Sequence, residues 1–140
     1  MTTTKRALVN AGSAVLLATA AAITAAPARA DDVMHSVRYT ITAESPIYAN
    51  IYYLDQQPQN FGVYSHNPYQ FVPNVQADIA PGKPWTQDVM LANPDQWALV
   101  TANTGTEPGT PNFHCRLTVD GAVVATNDGP KGVLCSLRTW

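Results

Sequence analysis

The chain has 140 residues and a mass of 15.0 kDa, a size that fits one domain and excludes a multi-domain enzyme. All ten acidic residues lie beyond residue 30, against five bases there (Arg38, Lys83, Arg116, Lys131 and Arg138), so that part carries a net charge of −5. A net acidic surface with scattered bases excludes a nucleic-acid backbone as the natural partner.

The first thirty residues read as a signal peptide. Lys5 and Arg6 precede an apolar run over residues 7–26, and Ala28-Arg29-Ala30 supplies the small-x-small pattern that signal peptidase accepts. The run is mostly alanine and carries Asn10, Gly12, Ser13, Thr19 and Thr24, which favours cleavage before Asp31. The alternative is an inner-membrane anchor formed by residues 7–26, long enough to span a bilayer as a helix. Either way residues 31–140 form the exported domain, secreted or held in the periplasm or cell envelope, and no later apolar stretch is long enough to cross a membrane as a helix.

Residues 31–45 alternate with period two: Val37, Tyr39 and Ile41 face one side, and Ser36, Arg38 and Thr40 the other. Residues 49–54 continue in the same manner, with Ile51 and Tyr53 opposite Asn50 and Tyr52. Between residues 56 and 84, Pro58, Pro68, Pro73, Pro81 and Pro84 limit ladder hydrogen bonding. Short strands are expected there at 61–64 and 75–79. Further strands follow at 85–91, where Trp85, Gln87 and Val89 share a face, and at 97–103. Gly105, Pro108, Gly109 and Pro111 then mark a loop.

The C-terminal part is the most regular. Phe113, Cys115, Leu117 and Val119 alternate with His114, Arg116, Thr118 and Asp120, a strand with one buried face. Asp120-Gly121 tolerates the positive φ angles of a two-residue hairpin, and residues 122–126 return from it. A turn over 127–132 leads to a last strand in which Val133, Cys135 and Leu137 point inward. Cys115 and Cys135 therefore share inward parity and are expected to form a disulfide, which an oxidising exterior preserves. Seven or eight short strands and no convincing helix predict an all-β domain, an antiparallel β-sandwich of immunoglobulin-like character, with a small closed barrel as the alternative.

The blocks His35-Ser-Val-Arg-Tyr-Thr-Ile-Thr42, Ala49-Asn-Ile-Tyr-Tyr-Leu-Asp55, Pro84-Trp85, His114-Cys-Arg-Leu-Thr-Val-Asp-Gly-Ala-Val-Val124 and Gly132-Val-Leu-Cys-Ser-Leu137 resemble the extracytoplasmic domain of the mycobacterial small membrane proteins, the MmpS family. The resemblance implies a β-sandwich outside the inner membrane and an accessory role beside an MmpL-type transporter that exports a siderophore or envelope lipid. The N-terminal segment departs from that family's retained anchor, and residues 56–84 are longer and richer in aromatics. The alternative is a freely secreted domain that binds a soluble ligand or a protein.

No Gly-x-Ser-x-Gly elbow, phosphate loop or His-Glu-x-x-His motif occurs, so neither a cofactor nor an enzymatic reaction is expected. A triad from Ser65, His66 and Asp55 has no sequence support. His35, His66 and His114 are too far apart in sequence to match a zinc-site spacing. The aromatic cluster carries more information. Tyr48, Tyr52, Tyr64, Tyr69, Phe71 and Trp85 lie on or beside a proline-rich segment that cannot bury them all, and rings with polar tips suit a protein, glycan or lipid headgroup. These six residues form the expected binding surface.

Overall fold

The computed structural model describes residues 33–139. The expected signal peptide, its cleavage site and the alternative anchor at residues 7–26 lie outside the described residues.

Eight strands form: β1 (His35–Ala43), β2 (Ile47–Tyr53), β3 (Asn74–Ile79), β4 (Trp85–Leu91), β5 (Leu99–Asn103), β6 (Phe113–Val119), β7 (Ala122–Gly129) and β8 (Gly132–Ser136). They build two four-stranded sheets in the orders β4-β1-β6-β7 and β3-β2-β5-β8. Neighbouring strands in both sheets run antiparallel. The sheets face each other as a β-sandwich, the architecture expected from the alternating pattern.

Period-two alternation decides what lies between the sheets. Val37, Tyr39, Ile41 and Ala43 of β1 are buried, as are Ala49, Ile51 and Tyr53 of β2, while their neighbours turn outward. Phe113, Cys115 and Leu117 of β6 and Val100 and Ala102 of β5 complete the centre of the core. Full burial of a side chain such as Ile51 contributes about 2–3 kcal/mol. The Tyr39 hydroxyl donates to the Leu54 carbonyl at 2.8 Å, so its polar atom is satisfied inside the core. Rings of Tyr39, Tyr53 and Trp85 follow one another at 6.0 and 5.4 Å.

Cys115 of β6 and Cys135 of β8 form a disulfide with Cα atoms 6.0 Å apart. Because β6 and β8 belong to different sheets, the bond ties the two layers together. The hairpin between β6 and β7 turns at Asp120 (φ 50°) and Gly121 (φ 83°), the left-handed pair that the Asp-Gly sequence predicts. Between β7 and β8 the backbone passes so close that a Cβ at Gly129 would collide with the Gly132 carbonyl, leaving room only for glycine.

Three expectations fail locally. Strand β7 runs on to Gly129, so the turn expected over residues 127–132 shortens to Pro130 and Lys131. Residues 61–64 are not a strand but part of the helix α1 (Phe61–His66). Asn60 accepts a hydrogen bond from the Val63 N–H at 2.8 Å and caps that helix, and a short 3-10 turn follows at Pro68–Gln70. With Pro58 and Pro68 on either side the segment has no ladder to join, so local capping outweighs the β-propensity of its aromatics. Trp97 likewise ends a short helix, α2 (Pro94–Trp97), and does not begin β5. Pro94 supplies the fixed φ that starts a helical turn, and Ala98 is already extended. No helix among the described residues is long and apolar enough to cross a membrane.

Candidate functional site

Both inner faces of the sandwich are consumed by the core, so a ligand must meet an outer face or an edge. The outer face of β3-β2-β5-β8 is distinctive because residues 54–73, which connect β2 to β3, fold back over it. Leu54 N–H bonds to Leu99 O at 2.9 Å and Asp55 N–H to Phe71 O at 2.9 Å, which fixes both ends of the connection. Phe71 and Val72 are buried beneath it. Further out, Tyr64 lies 5.5 Å from the Trp97 ring and 5.9 Å from Phe61, and the Arg138 guanidinium sits over Phe61 at 5.1 Å and over Trp97 at 5.8 Å.

Between this cover and the sheet lies an open groove of about 290 Å³. Tyr52, Leu99 and Thr101 form its floor, and Tyr64, Pro68, Tyr69 and Val72 form its wall. The floor follows from parity. Tyr52 alternates with buried Ile51 and Tyr53, and Leu99 and Thr101 alternate with buried Val100 and Ala102. Tyr69 is 75% exposed, which leaves most of its ring available to a ligand. The Thr101 hydroxyl donates to the Val133 carbonyl at 2.9 Å, so its oxygen remains an oriented acceptor.

Beside the groove, strand register places polar side chains in rows. Asn74, Tyr52, Thr101 and Leu134 stand opposite one another across four strands, and Gln76, Asn50, Asn103 and Gly132 form the adjacent row. Three amides are linked: Asn74 Nδ2 donates to Asn50 Oδ1 at 2.6 Å, and Asn50 Nδ2 donates to Asn103 Oδ1 at 3.4 Å. Backbone groups set the direction at both ends. Asn74 Nδ2 also donates to Ile51 O at 3.1 Å, and Asn103 Oδ1 accepts from Gly105 N–H at 2.8 Å.

The six sequence-predicted residues divide into three groups. Tyr52, Tyr64 and Tyr69 converge on the groove. Tyr48 is exposed on the same face of β2, beyond Asn50. Phe71 and Trp85 depart from the expected surface: Phe71 is only 7% exposed and anchors the cover, while Trp85 stands on the inward side of β4 against Tyr53. The hydrophobic drive that closes the proline-rich cover and the sheet edge buries Phe71 and turns the Trp85 ring inward, where it is partly buried. Leu99, Thr101, Val72 and the asparagine row lie outside the sequence-predicted set. The shared parity of Tyr48, Asn50 and Tyr52 is a signal the sequence does carry, but the partners on β5 depend on a long-range register.

The outer face of the other sheet holds depressions of similar size, and most of its charged groups are paired, although Arg116 of β6 is exposed there with no ion pair among the described residues. Arg38 makes two bonds to Asp88, at 2.7 and 3.0 Å, which hold that carboxyl below its ordinary range. His35 Nδ1 lies 2.6 Å from Asp120. His114 places one ring nitrogen against Asp128 and the other 3.2 Å from Glu44, and these two carboxylates raise its pKa. Ser65 donates to Gly62 O at 3.1 Å, and no hydrogen bond among the described residues joins it to His66 or Asp55. The three histidines do not converge, and among the described residues no group of three or more His, Cys, Asp or Glu side chains is arranged to hold a metal ion.

Comparison with known proteins places this geometry in a family. Residues 39–135 match the Rv2576c beta-sandwich domain, and the chain belongs to that family. It is 42% identical over 113 residues to the uncharacterized protein Rv2576c of Mycobacterium tuberculosis (strain ATCC 25618 / H37Rv), covering 81% of this chain and 73% of the relative. The same identity and coverage hold for the uncharacterized protein Mb2606c of Mycobacterium bovis. The resemblance to the MmpS family is thereby overturned. The blocks that suggested it are β1, β2, β6 with its Asp-Gly hairpin, and β8 with its cysteine. Such features follow from the demands of a disulfide-tied sandwich and do not discriminate one sandwich family from another.

Proposed function

We propose that this member of the Rv2576c beta-sandwich family is an exported, non-enzymatic binding domain that takes its ligand on the outer face of the β3-β2-β5-β8 sheet. The observation that carries the reading is the convergence of Tyr52, Tyr64 and Tyr69 on one open groove. Three aromatic rings provide contact area at low entropic cost, and the Tyr52 and Tyr69 hydroxyls with Thr101 provide orientation. Support for export comes from the N-terminal segment and from the Cys115–Cys135 bond, which suits an oxidising compartment. The transporter role implied by the MmpS resemblance loses its basis with the family correction and is not carried forward.

The test is titration of the oxidised, exported protein, labelled for NMR, with fractionated cell-envelope extract. A ligand-containing fraction should perturb amides around Tyr52, Tyr64 and Tyr69, and Tyr69→Ala should reduce that response without changing the fold. Responses confined to the opposite sheet, or no response to any fraction, would overturn the proposal. The N-terminal residue of the exported protein, Asp31 if the leader is cleaved, tests the export part separately.

A further inference from the structure

We infer that the groove and the amide rows beside it form one site for a neutral oligosaccharide chain, an assignment that rests on the binding role proposed above and names its ligand class. The functional groups of site and ligand match. A sugar ring offers C–H faces bounded by hydroxyls that both donate and accept. Tyrosine faces match the first, and carboxamides, which carry a donor and an acceptor on one side chain, match the second.

The polarity of the asparagine row makes the match specific. Its direction is set by Ile51 O at one end and Gly105 N–H at the other. Asn74 is therefore left with its carbonyl oxygen to accept, and Asn103 with its Nδ2 to donate, while Gln76 stands at the row's edge with both groups to offer. The amides are oriented before a ligand arrives, which lowers the ordering cost of binding. Tyr48 and Tyr52 bracket Asn50 on the same face of β2, four residues or about 13 Å apart, so the surface is long enough for a chain of several rings.

Other ligand classes fit less well. The two rows contain no lysine or arginine, so an anionic headgroup finds no countercharge there. Arg138 is engaged over the rings of Phe61 and Trp97. A long alkyl chain laid along the face would cover the amides without giving them partners, at a desolvation cost that a hydroxylated ligand avoids.

The experiment titrates the oxidised, exported protein with maltohexaose, cellohexaose and mannohexaose at millimolar concentration, and in parallel with lysophosphatidylcholine, reading backbone and side-chain amide shifts. At least one hexasaccharide should shift Asn50, Tyr52 and Asn103 together. Asn103→Asp keeps the acceptor for Gly105 N–H but removes the donor, and should weaken binding about tenfold. Tyr69→Ala removes an exposed ring and should weaken it independently. Unchanged thermal unfolding of both variants excludes misfolding as the cause. Hexasaccharide shifts confined to another surface, or affinity unaffected by Asn103→Asp and Tyr69→Ala, would overturn the assignment. Shifts with lysophosphatidylcholine alone would overturn the sugar assignment while leaving the groove as a binding site. Silence in every arm would overturn the assignment and count against the binding role as well.

Discussion

Breaking the Cys115–Cys135 bond tests how the two sheets are held. The cysteines are separated by 20 residues, and on the chain-entropy relation closing such a loop stabilises the fold by about 3 kcal/mol. Both residues are buried, at 3% and 2% exposure, so replacing them with alanine also removes packed sulfur, worth about 1 kcal/mol per site. Reduced wild-type protein should therefore lose about 3 kcal/mol, and the Cys115→Ala/Cys135→Ala variant about 5 kcal/mol. For a domain of this size the first figure corresponds to a fall of roughly 12–24 °C in Tm. Equilibrium urea unfolding of the oxidised, reduced and doubly substituted proteins separates the contributions. The slope of the transition should rise when the link is absent, because the unfolded chain then expands further. A reduced protein within about 1 kcal/mol of the oxidised one, with an unchanged slope, would refute the reasoning that the cross-link acts on the unfolded chain.

Two further outcomes follow from one buried and one partly exposed polar group. Tyr39→Phe removes the donor to Leu54 O within a site that is 0% exposed; it should cost about 1–3 kcal/mol in urea unfolding, and a neutral result would mean that the carbonyl finds water or another donor. His114 should titrate above its ordinary value of 6.5 because Asp128 and Glu44 favour the imidazolium. Its contribution to stability is complete below the unfolded-state value and is lost as pH rises through the folded-state value. Asp128→Asn should lower the His114 pKa in an NMR titration; an unchanged pKa would show that the contact does not hold the proton.

The parts of the fold that can be read from sequence are those governed by nearest neighbours. In β1 and β6, alternation alone assigns the buried face, and Asp120-Gly121 identifies its own turn because few other pairs accept two positive φ angles. The inward parity of Cys115 and Cys135 points to their union, but not to its joining different sheets. Residues 61–64 mislead because aromatic residues favour strands only when a partner strand is present; Asn60 capping and flanking prolines settle that competition in favour of a helix. The candidate site is half legible for the same reason. Tyr48, Asn50 and Tyr52 share a face by local parity, whereas the approach of Asn103 and Thr101 requires the β2–β5 register, and the burial of Phe71 and the inward turn of Trp85 require the packing of the whole domain.

The contrast between the two outer faces gives the site its physical rationale. On the β4-β1-β6-β7 sheet, Arg38 is paired with Asp88, His35 with Asp120, and His114 with Asp128 and Glu44, while Arg116 is exposed between them. A ligand would have to break these pairs to use them, and exposed pairs are individually weak stabilisers. On the other sheet the amide chain runs in one direction, so its internal bonds leave complementary groups at its ends. The tyrosines beside it are held by a cover whose buried anchors are Phe71 and Val72. The two rings nearest in kind to the expected binding surface but absent from it thus serve the structure. Phe71 fixes the wall that presents Tyr64 and Tyr69, and Trp85 caps Tyr53, the inward neighbour of Tyr52. Preorganisation of the exposed tyrosines is therefore a consequence of burying the others.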